Sequence, residues 1–226
     1  MATEKTAHNV EIPELRLNHF TLNIVGTSPL ISHAWSQKAK MEMLGKQLKK
    51  AATAKEARRP PIEFADSLYW LTEKPDFTGL TDDEVQSLLA EVIPKSKFGF
   101  PVLAFKSAAL DAGYQQGALV RNAGSNDLAK TTARGAFFVT GEANDFVVIN
   151  GTPTPREDIA RIAKGTPEVR FRAEFKTWRT KLFIKFNERV ITPSQIANLF
   201  RLGGFANGVG DWRPAKDGSF GTFEIC

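Results

Sequence analysis

The sequence of 226 residues predicts an α+β fold with a ferredoxin-like core and helical and loop insertions. Segments with two-residue hydrophobic alternation, typical of strands, are interleaved with segments whose apolar residues recur every three or four positions, typical of helices. Capping boxes mark three helix starts, and a glycine-rich loop separates the last helix from a final strand. The resulting order is strand, helices, strands, helix, two strands, helix, loop and strand, which fits a ferredoxin-like core.

Composition indicates a globular protein with a modest excess of basic residues. The chain is 42% hydrophobic and 24% charged, with a net charge of +5, which favours polyanionic partners. The only cysteine is Cys226, which excludes an internal disulfide and a cysteine zinc site. There is no apolar run of about 18 residues and no apolar N-terminal segment, so we expect a cytoplasmic protein without membrane contact.

The first half of the chain predicts a flexible arm over residues 1–14, before a single domain over 15–226. Alternation predicts the first strand, Ser36 is a helix N-cap, and a capping box starts at Thr81. The helix after Ser36 has an apolar face that includes Met41, Leu44 and Leu48. The predicted elements are Leu15–Val25 (strand), Ser36–Ala54 (helix), Thr81–Val92 (helix) and Pro101–Ala112 (helix).

The second half begins with a polar excursion, rich in glycine and asparagine, at about 115–135, which we expect to be mobile. A capping box at Thr154–Glu157 predicts a short helix that buries Ile159 and Ile162, and another at Thr192–Gln195 predicts the last helix. Strict alternation predicts the remaining strands. These are Ala136–Thr140, Phe146–Ile149, Val169–Phe175, Trp178–Phe186 and Thr222–Ile225.

Two of these strands are predicted to pair as a hairpin turning at Lys176-Thr177. Its outward side chains would be basic and its inward side chains apolar. Most phenylalanines of the chain, Phe138 and Phe183 among them, are predicted to pack in the core.

Basic residues concentrate in two windows, Ser36–Pro60 with a net charge of +6 and Arg170–Arg189 with a net charge of +5. Clustering of this kind favours a surface for a polyanion over a uniformly solvated surface. Lysine and arginine would neutralise phosphates, and a tryptophan beside them would stack on a base. The predicted nucleic-acid-binding residues are Lys38, Lys46, Lys49, Lys50, Arg170, Arg172, Lys181, Lys185, Trp212, Arg213 and Lys216.

The glycine-rich loop near the C-terminus is a candidate phosphate site. Glycine allows positive φ and a close approach of the backbone, and the loop combines backbone N–H groups with positive charge and an aromatic ring. An equally simple interpretation is a structural turn before the last strand. The loop glycines are Gly208, Gly210, Gly218 and Gly221.

His33 is the only candidate for catalysis. It lies between Ser32 and Ser36, just before the basic helix, where an imidazole would act as a general base, stack on a base or cap the helix. No histidine has metal-ligand spacing, and no carboxylate pair or nucleophile elbow is present. The sequence therefore predicts binding rather than catalysis, with no metal and no cofactor.

Four segments resemble a family of phage and prophage proteins: PLISHAWSQKAK, FGFPVLAFKSAALDAG, PEVRFRAEFKTW and GGFANGVGDWRPAKDGSFGTFEI. Together they span most of the chain from Gly26 onward. The resemblance implies a phage-type protein in a bacterial host cell and supplies no activity.

The helix, glycine loop and strand that end the chain also resemble the RAMP superfamily, the ferredoxin-like RNA-binding subunits of CRISPR effector complexes. The resemblance rests on the paired glycines Gly208-Val209-Gly210 and Gly218-Ser219-Phe220-Gly221. It implies binding of single-stranded nucleic acid, often in a multi-subunit filament. Processing nucleases of that superfamily use a histidine, a role that His33 would fill.

Together these observations predict a phage-type protein that binds single-stranded DNA or RNA with little sequence preference, is non-catalytic, and is a homo-oligomer that forms filaments. Two alternatives stay open. One is a metal-independent endoribonuclease that uses His33. The other is a structural or inhibitory phage protein that binds an acidic protein partner.

Overall fold

The computed structural model describes residues 14–49, 57–121, 127–161 and 167–226. Antiparallel sheets and six α-helices in the described residues make the fold α+β, which confirms the predicted class. The elements are β1 (Leu17–Gly26), β2 (Leu30–Ser32), α1 (Gln37–Gln47), α2 (Pro60–Asp66), β3 (Tyr69–Trp70), α3 (Asp82–Val92), β4 (Phe98–Pro101), α4 (Val102–Gln115), α5 (Lys130–Ala136), β5 (Phe137–Thr140), β6 (Phe146–Val148), β7 (Pro153–Arg161), β8 (Pro167–Phe175), β9 (Arg179–Asn187), α6 (Pro193–Leu202) and β10 (Phe223–Ile225).

The central sheet has four antiparallel strands in the order β10-β1-β9-β5. One side of the sheet is buried. It contributes Ile24 of β1 and Leu182, Ile184 and Phe186 of β9 to the hydrophobic core. Helices α4 and α6 pack against each other and belong to the same hydrophobic core. Along β9 the side chains alternate between exposed and buried, so the second side of the sheet faces solvent.

Two smaller sheets have the orders β2-β8-β7 and β3-β4-β6. Strand β8 therefore lies in a different sheet from β9, and the predicted hairpin is wrong. Trp178, between the two strands, is 2% exposed, and its Nε1 donates a hydrogen bond to the Ser28 carbonyl oxygen at 2.9 Å. The alternation identified both strands correctly, but it carries no information about which strand each one pairs with.

The predicted helix after Thr154 is also wrong. Residues Pro153–Arg161 form β7, which pairs with β8 along its whole length, and Ile159 is 70% exposed. A capping box is a local signal, and here pairing with a nine-residue strand outweighs it. Ile162 lies outside the described residues.

The other capping predictions are confirmed. Thr81 and Thr192 each make a reciprocal capping box, and Ser36 accepts a hydrogen bond from the Ala39 amide at 3.1 Å. Helix α1 ends at Gln47, however, and its predicted apolar face is exposed, with Met41 at 66% and Leu48 at 58%. The proposed arm lies outside the described residues apart from Glu14, and the proposed excursion includes α5.

Candidate nucleic-acid interface

The solvent-facing side of the central sheet, called here the open face, combines basic and aromatic side chains. Residues directly paired across strands present their side chains on the same side of a sheet. One row of pairs crosses the face as His19–Lys185–Phe138, and the next as Thr21–Phe183–Thr140. Lys181 and Arg179 continue the exposed series along β9, opposite Asn23 and Val25.

The cations of the open face have no ion partner among the described residues. Arg179, Lys181 and Lys185 are exposed, and their side chains make no ion pair or hydrogen bond in that part of the chain. The open face also carries one acid, Glu224 of β10, which is separated from Arg179 by strand β1. These three positive charges are thus available to an anionic ligand.

Phenylalanine, expected in the core, also lies on this face. Phe138 is 59% exposed and Phe183 is 38% exposed, which contradicts their predicted burial. Both occupy outward positions of strands whose inward neighbours, such as Phe137 and Phe186, are buried. The alternation itself argues against burial of Phe183, because Phe183 lies between Leu182 and Ile184, which are buried on the other side of the strand.

A second basic region, called here the groove, is a cavity of about 1210 Å³. Besides His33 and Trp35, it is lined by the basic residues Lys46, Arg58, Arg59, Lys74, Arg170 and Arg172. Five of these six already contact a carboxylate: the pairs are Arg58–Glu63, Arg59–Asp82, Lys74–Asp66, Arg170–Glu168 and Arg172–Asp211. Most of the positive charge in the groove is therefore already compensated.

His33 and Asp211 form the most chemically specific cluster, at the boundary between the groove and a second cavity. His33 Nδ1 lies 3.0 Å from Asp211 Oδ2, and Arg172 Nη1 lies 2.7 Å from the same oxygen. The His33 side chain is 49% exposed, whereas that of Arg172 is 5% exposed. The second cavity, of about 430 Å³, is lined by His33, Tyr69 and Asp211, whereas His33 and Arg172 line the groove.

The charge state of Asp211 follows from these contacts. Burial raises the pKa of this carboxyl group, but the close contact with the His33 imidazole and the positive charge of Arg172 outweigh burial and hold the pKa below its ordinary value. Asp211 is thus ionised at neutral pH, and its carboxylate faces Nδ1 of the imidazole. Burial, followed by the charge of Asp211, raises the pKa of Tyr69, which stays protonated.

The glycine-rich loop brings Asp211 to His33. The Asp211 amide donates to the Ile31 carbonyl oxygen at 3.1 Å, which attaches the loop to the strand just before His33. Gly208, Gly210 and Gly221 have φ of +63°, +83° and +69°, as glycine was expected to allow. Nothing in the local sequence around Asp211 indicates this long-range contact.

The loop amides mostly have acceptors within the protein. The amides of Gly208, Gly218 and Gly221 donate to the carbonyl oxygens of Gly203, Arg213 and Pro29 at 2.8, 3.1 and 2.7 Å. A Cβ at Gly210 would lie 2.6 Å from the Ile31 carbonyl oxygen. Close packing of backbone on backbone thus accounts for these glycines, which favours the structural interpretation of the loop.

The remaining predicted residues lie in different places. Arg213 donates from Nη1 to the Gly210 carbonyl oxygen at 2.9 Å, and Trp212 is half-buried, with an Nε1 that has no acceptor in the described residues. Lys216 and Lys49 are exposed. Lys50 lies outside the described residues, as does the side chain of Lys38. The predicted set is therefore divided among the open face, the groove and the loop.

Comparison with known proteins adds little. No protein-family model and no curated protein matches the chain. Among solved structures, the crystal structure of Cmr6 from Pyrococcus furiosus is similar over 94% of this chain and 100% of that chain, with 10% identity and a TM-score of 0.34. At that TM-score the similarity carries no argument about fold or function. None of the described helices has the length and apolar character that a membrane crossing requires.

Proposed function

We propose that this protein binds single-stranded nucleic acid on the open face, with little sequence preference and without chemical conversion of the strand. The observation that carries the proposal is a set of three cations, Arg179, Lys181 and Lys185, that have no ion partner in the described residues. They share the open face with exposed aromatic rings. Lysine and arginine contact phosphates, which every sequence presents, so the binding is expected to be sequence-tolerant.

The topology of the central sheet supports a ferredoxin-like core, related to the RRM and RAMP folds, as the scaffold. Strands β1, β5, β9 and β10 with helices α4 and α6 follow the chain order β–α–β–β–α–β, and the sheet order is β10-β1-β9-β5. Such a sheet leaves one side free of helices, and in RRM domains that side receives single strands.

Salt dependence tests the proposal directly. Three phosphate contacts predict that log K falls with log salt with a slope of about −2, at about 0.7 per contact for single strands. Fluorescence anisotropy of a labelled mixed-sequence strand, titrated from low to high salt, gives this slope. Absence of binding at low salt, or a slope near zero, would contradict the proposal and would leave the acidic protein partner as the occupant.

The phage-type origin, the bacterial cytoplasm and the homo-oligomeric, filament-like assembly belong to the same proposal, because the two sequence resemblances imply them. Electron microscopy of the protein with and without single-stranded DNA and RNA tests the assembly. Beaded strands or filaments that depend on the strand are the expected result, and unchanged monomeric particles would remove the filament from the proposal.

One contact favours a second candidate function, the metal-independent ribonuclease. Asp211 holds His33 Nδ1 at 3.0 Å, which leaves Nε2 of a half-exposed imidazole as the nitrogen that would accept a proton from a ribose 2′-hydroxyl. Incubation of end-labelled RNA and of DNA of the same sequence tests this candidate. A product ladder from RNA alone that vanishes in His33→Ala would establish it, and intact RNA after long incubation would remove it.

A further inference from the structure

Two phenylalanine rings on the open face lie outside the hydrophobic core of the described residues. Full burial of a phenylalanine side chain contributes about 1.5–3 kcal/mol, yet Phe183 stays 38% exposed and Phe138 stays 59% exposed. Their immediate neighbours in sequence, Phe137 and Ile184, are essentially buried. The core is thus complete without these two rings.

The surroundings of Phe183 leave its ring accessible. Its direct cross-strand partners are Thr21 on β1 and Thr140 on β5, both of which have short side chains. No aromatic pair involves Phe183 in the part of the chain that the structure describes. Along its own strand Phe183 is flanked by Lys181 and Lys185, which lie on the same side of the sheet.

Phe138 is held in place from the edge of the sheet. Strand β5 is an edge strand, and the Lys106 ammonium lies 5.0 Å from the centroid of the Phe138 ring. That ammonium also donates to the carbonyl oxygens of Arg134 and Phe137 at 2.8 and 2.7 Å, so it is itself fixed. The ring therefore has a defined position while most of its surface stays exposed.

The two rings are diagonal neighbours on the sheet, because Phe138 pairs with Lys185, two residues along β9 from Phe183. Diagonal neighbours are about 7–8 Å apart. Cations lie between and beside them. Such an arrangement matches a ligand that alternates flat apolar rings with negative charges, and it matches neither a purely anionic polymer nor an apolar protein surface.

We propose that Phe183 and Phe138 are stacking platforms for two unpaired bases of one nucleic-acid strand, with Lys181 and Lys185 on the adjoining phosphates. The inference rests on the proposed function and deepens it, because it names bases as the recognised groups in addition to phosphates. Aromatic stacking accepts every base, so the platforms add affinity without adding sequence preference.

The test combines two variants with two probes. Phe183→Thr and Phe138→Thr match the neighbouring threonines, and Phe205→Thr is the control, because Phe205 is 83% exposed in the turn after α6 and lies outside the sheet. The probes are a mixed-sequence single strand and an abasic strand with the same number of phosphates. We expect each platform variant to bind the mixed strand about 5- to 150-fold more weakly than the wild type, a range that corresponds to one lost base stack.

On the abasic strand both variants are expected to bind like the wild type, and Phe205→Thr is expected to be unchanged on both probes. Equal losses on both probes would overturn the stacking role, because the rings would then act through the fold or the local charge. Unchanged binding of the mixed strand would overturn it too, and if Lys181→Glu still weakened binding the proposed function would survive. If a platform variant changes the oligomeric mass of the protein in solution but not its affinity for either strand, the open face is a contact between copies of the protein. That result would overturn the inference.

Discussion

The open face and the groove contain similar side chains, but they differ in what those side chains already contact. In the groove, five of six lysine and arginine side chains are held by a carboxylate, and Arg172 is buried as well. On the open face, Arg179, Lys181 and Lys185 have no such partner in the described residues. Their direct cross-strand partners are Val25, Asn23, His19 and Phe138. The local density of basic residues in a sequence therefore overstates the charge that a ligand can reach.

The largest expected effect concerns the glycine-rich loop, which carries Asp211. A Cβ at Gly221, where φ is +69°, would lie 1.7 Å from the Val209 carbonyl oxygen, so Gly221→Ala must displace the backbone. We expect a loss of more than about 4 kcal/mol of unfolding free energy, measured by urea denaturation. Gly117→Ala is the control, because Gly117 has φ of +75° with open space around it, and about 1–2 kcal/mol is expected there. Equal losses in the two variants would show that the loop is not tightly packed.

The next effect separates cations that stabilise the fold from cations that are available to a ligand. Asp211→Ala leaves Arg172 buried without its carboxylate and is expected to cost about 3 kcal/mol of unfolding free energy. Lys185→Ala, on the open face, is expected to change that quantity by less than about 0.5 kcal/mol. Chemical denaturation of the two variants side by side measures both values. A stable Asp211→Ala protein would mean that the groove cations are not held as tightly as the contacts imply.

The affinity for a single strand should show the reverse order: substitutions on the open face should lower it more than substitutions in the groove. Each phosphate contact contributes about 5-fold at 0.1 M salt, so Lys181→Ser combined with Lys185→Ser is expected to weaken single-strand binding about 25-fold and to reduce the salt slope from about −2 to about −0.7. The matched groove variant, Lys74→Ser with Arg170→Ser, is expected to change the affinity by less than about 2-fold, because both cations are ion-paired. If the groove variant loses more affinity than the face variant, the strand binds in the groove. A wild-type slope near −3.5 would indicate about five contacts, and thus both regions together.

The smallest expected effect is a pH dependence of the unfolding free energy that originates at Asp211, the ion partner of the groove residue Arg172. The pKa of Asp211 lies below its ordinary value in the folded protein, so the carboxylate contributes stability above its unfolded pKa of about 3.9 and loses that contribution as the pH falls through the folded value. Between pH 5 and about pH 3, the wild type should therefore lose more unfolding free energy than Asp211→Asn. Parallel curves for the two proteins would show that Asp211 is not the group responsible.

The features that could be predicted from the sequence are those that depend on residues close together along the chain. The capping boxes at Thr81 and Thr192 form within one helical turn, and the alternation in β9 gives the side of the sheet on which each residue lies. The strand with which each strand pairs depends on residues far away in the sequence. The predicted pairing of β8 with β9 and the predicted helix in the place of β7 are therefore wrong. The contact between His33 and Asp211 depends on a loop 178 residues further on, and no local pattern reports it.

The pairing of β1 with the last two strands sets the order in which this protein can be assembled during synthesis. The hydroxyl oxygens of Thr27 and Thr222 lie 2.7 Å apart although 195 residues separate them in the chain. At about 5–20 residues per second, a ribosome needs about 10–40 s to make that interval. Strand β9 is made only in the last part of this interval and β10 directly after it, so for most of this time β1 lacks both of its sheet neighbours. The open face therefore comes into existence late in translation, when β9 has joined β1 and β5.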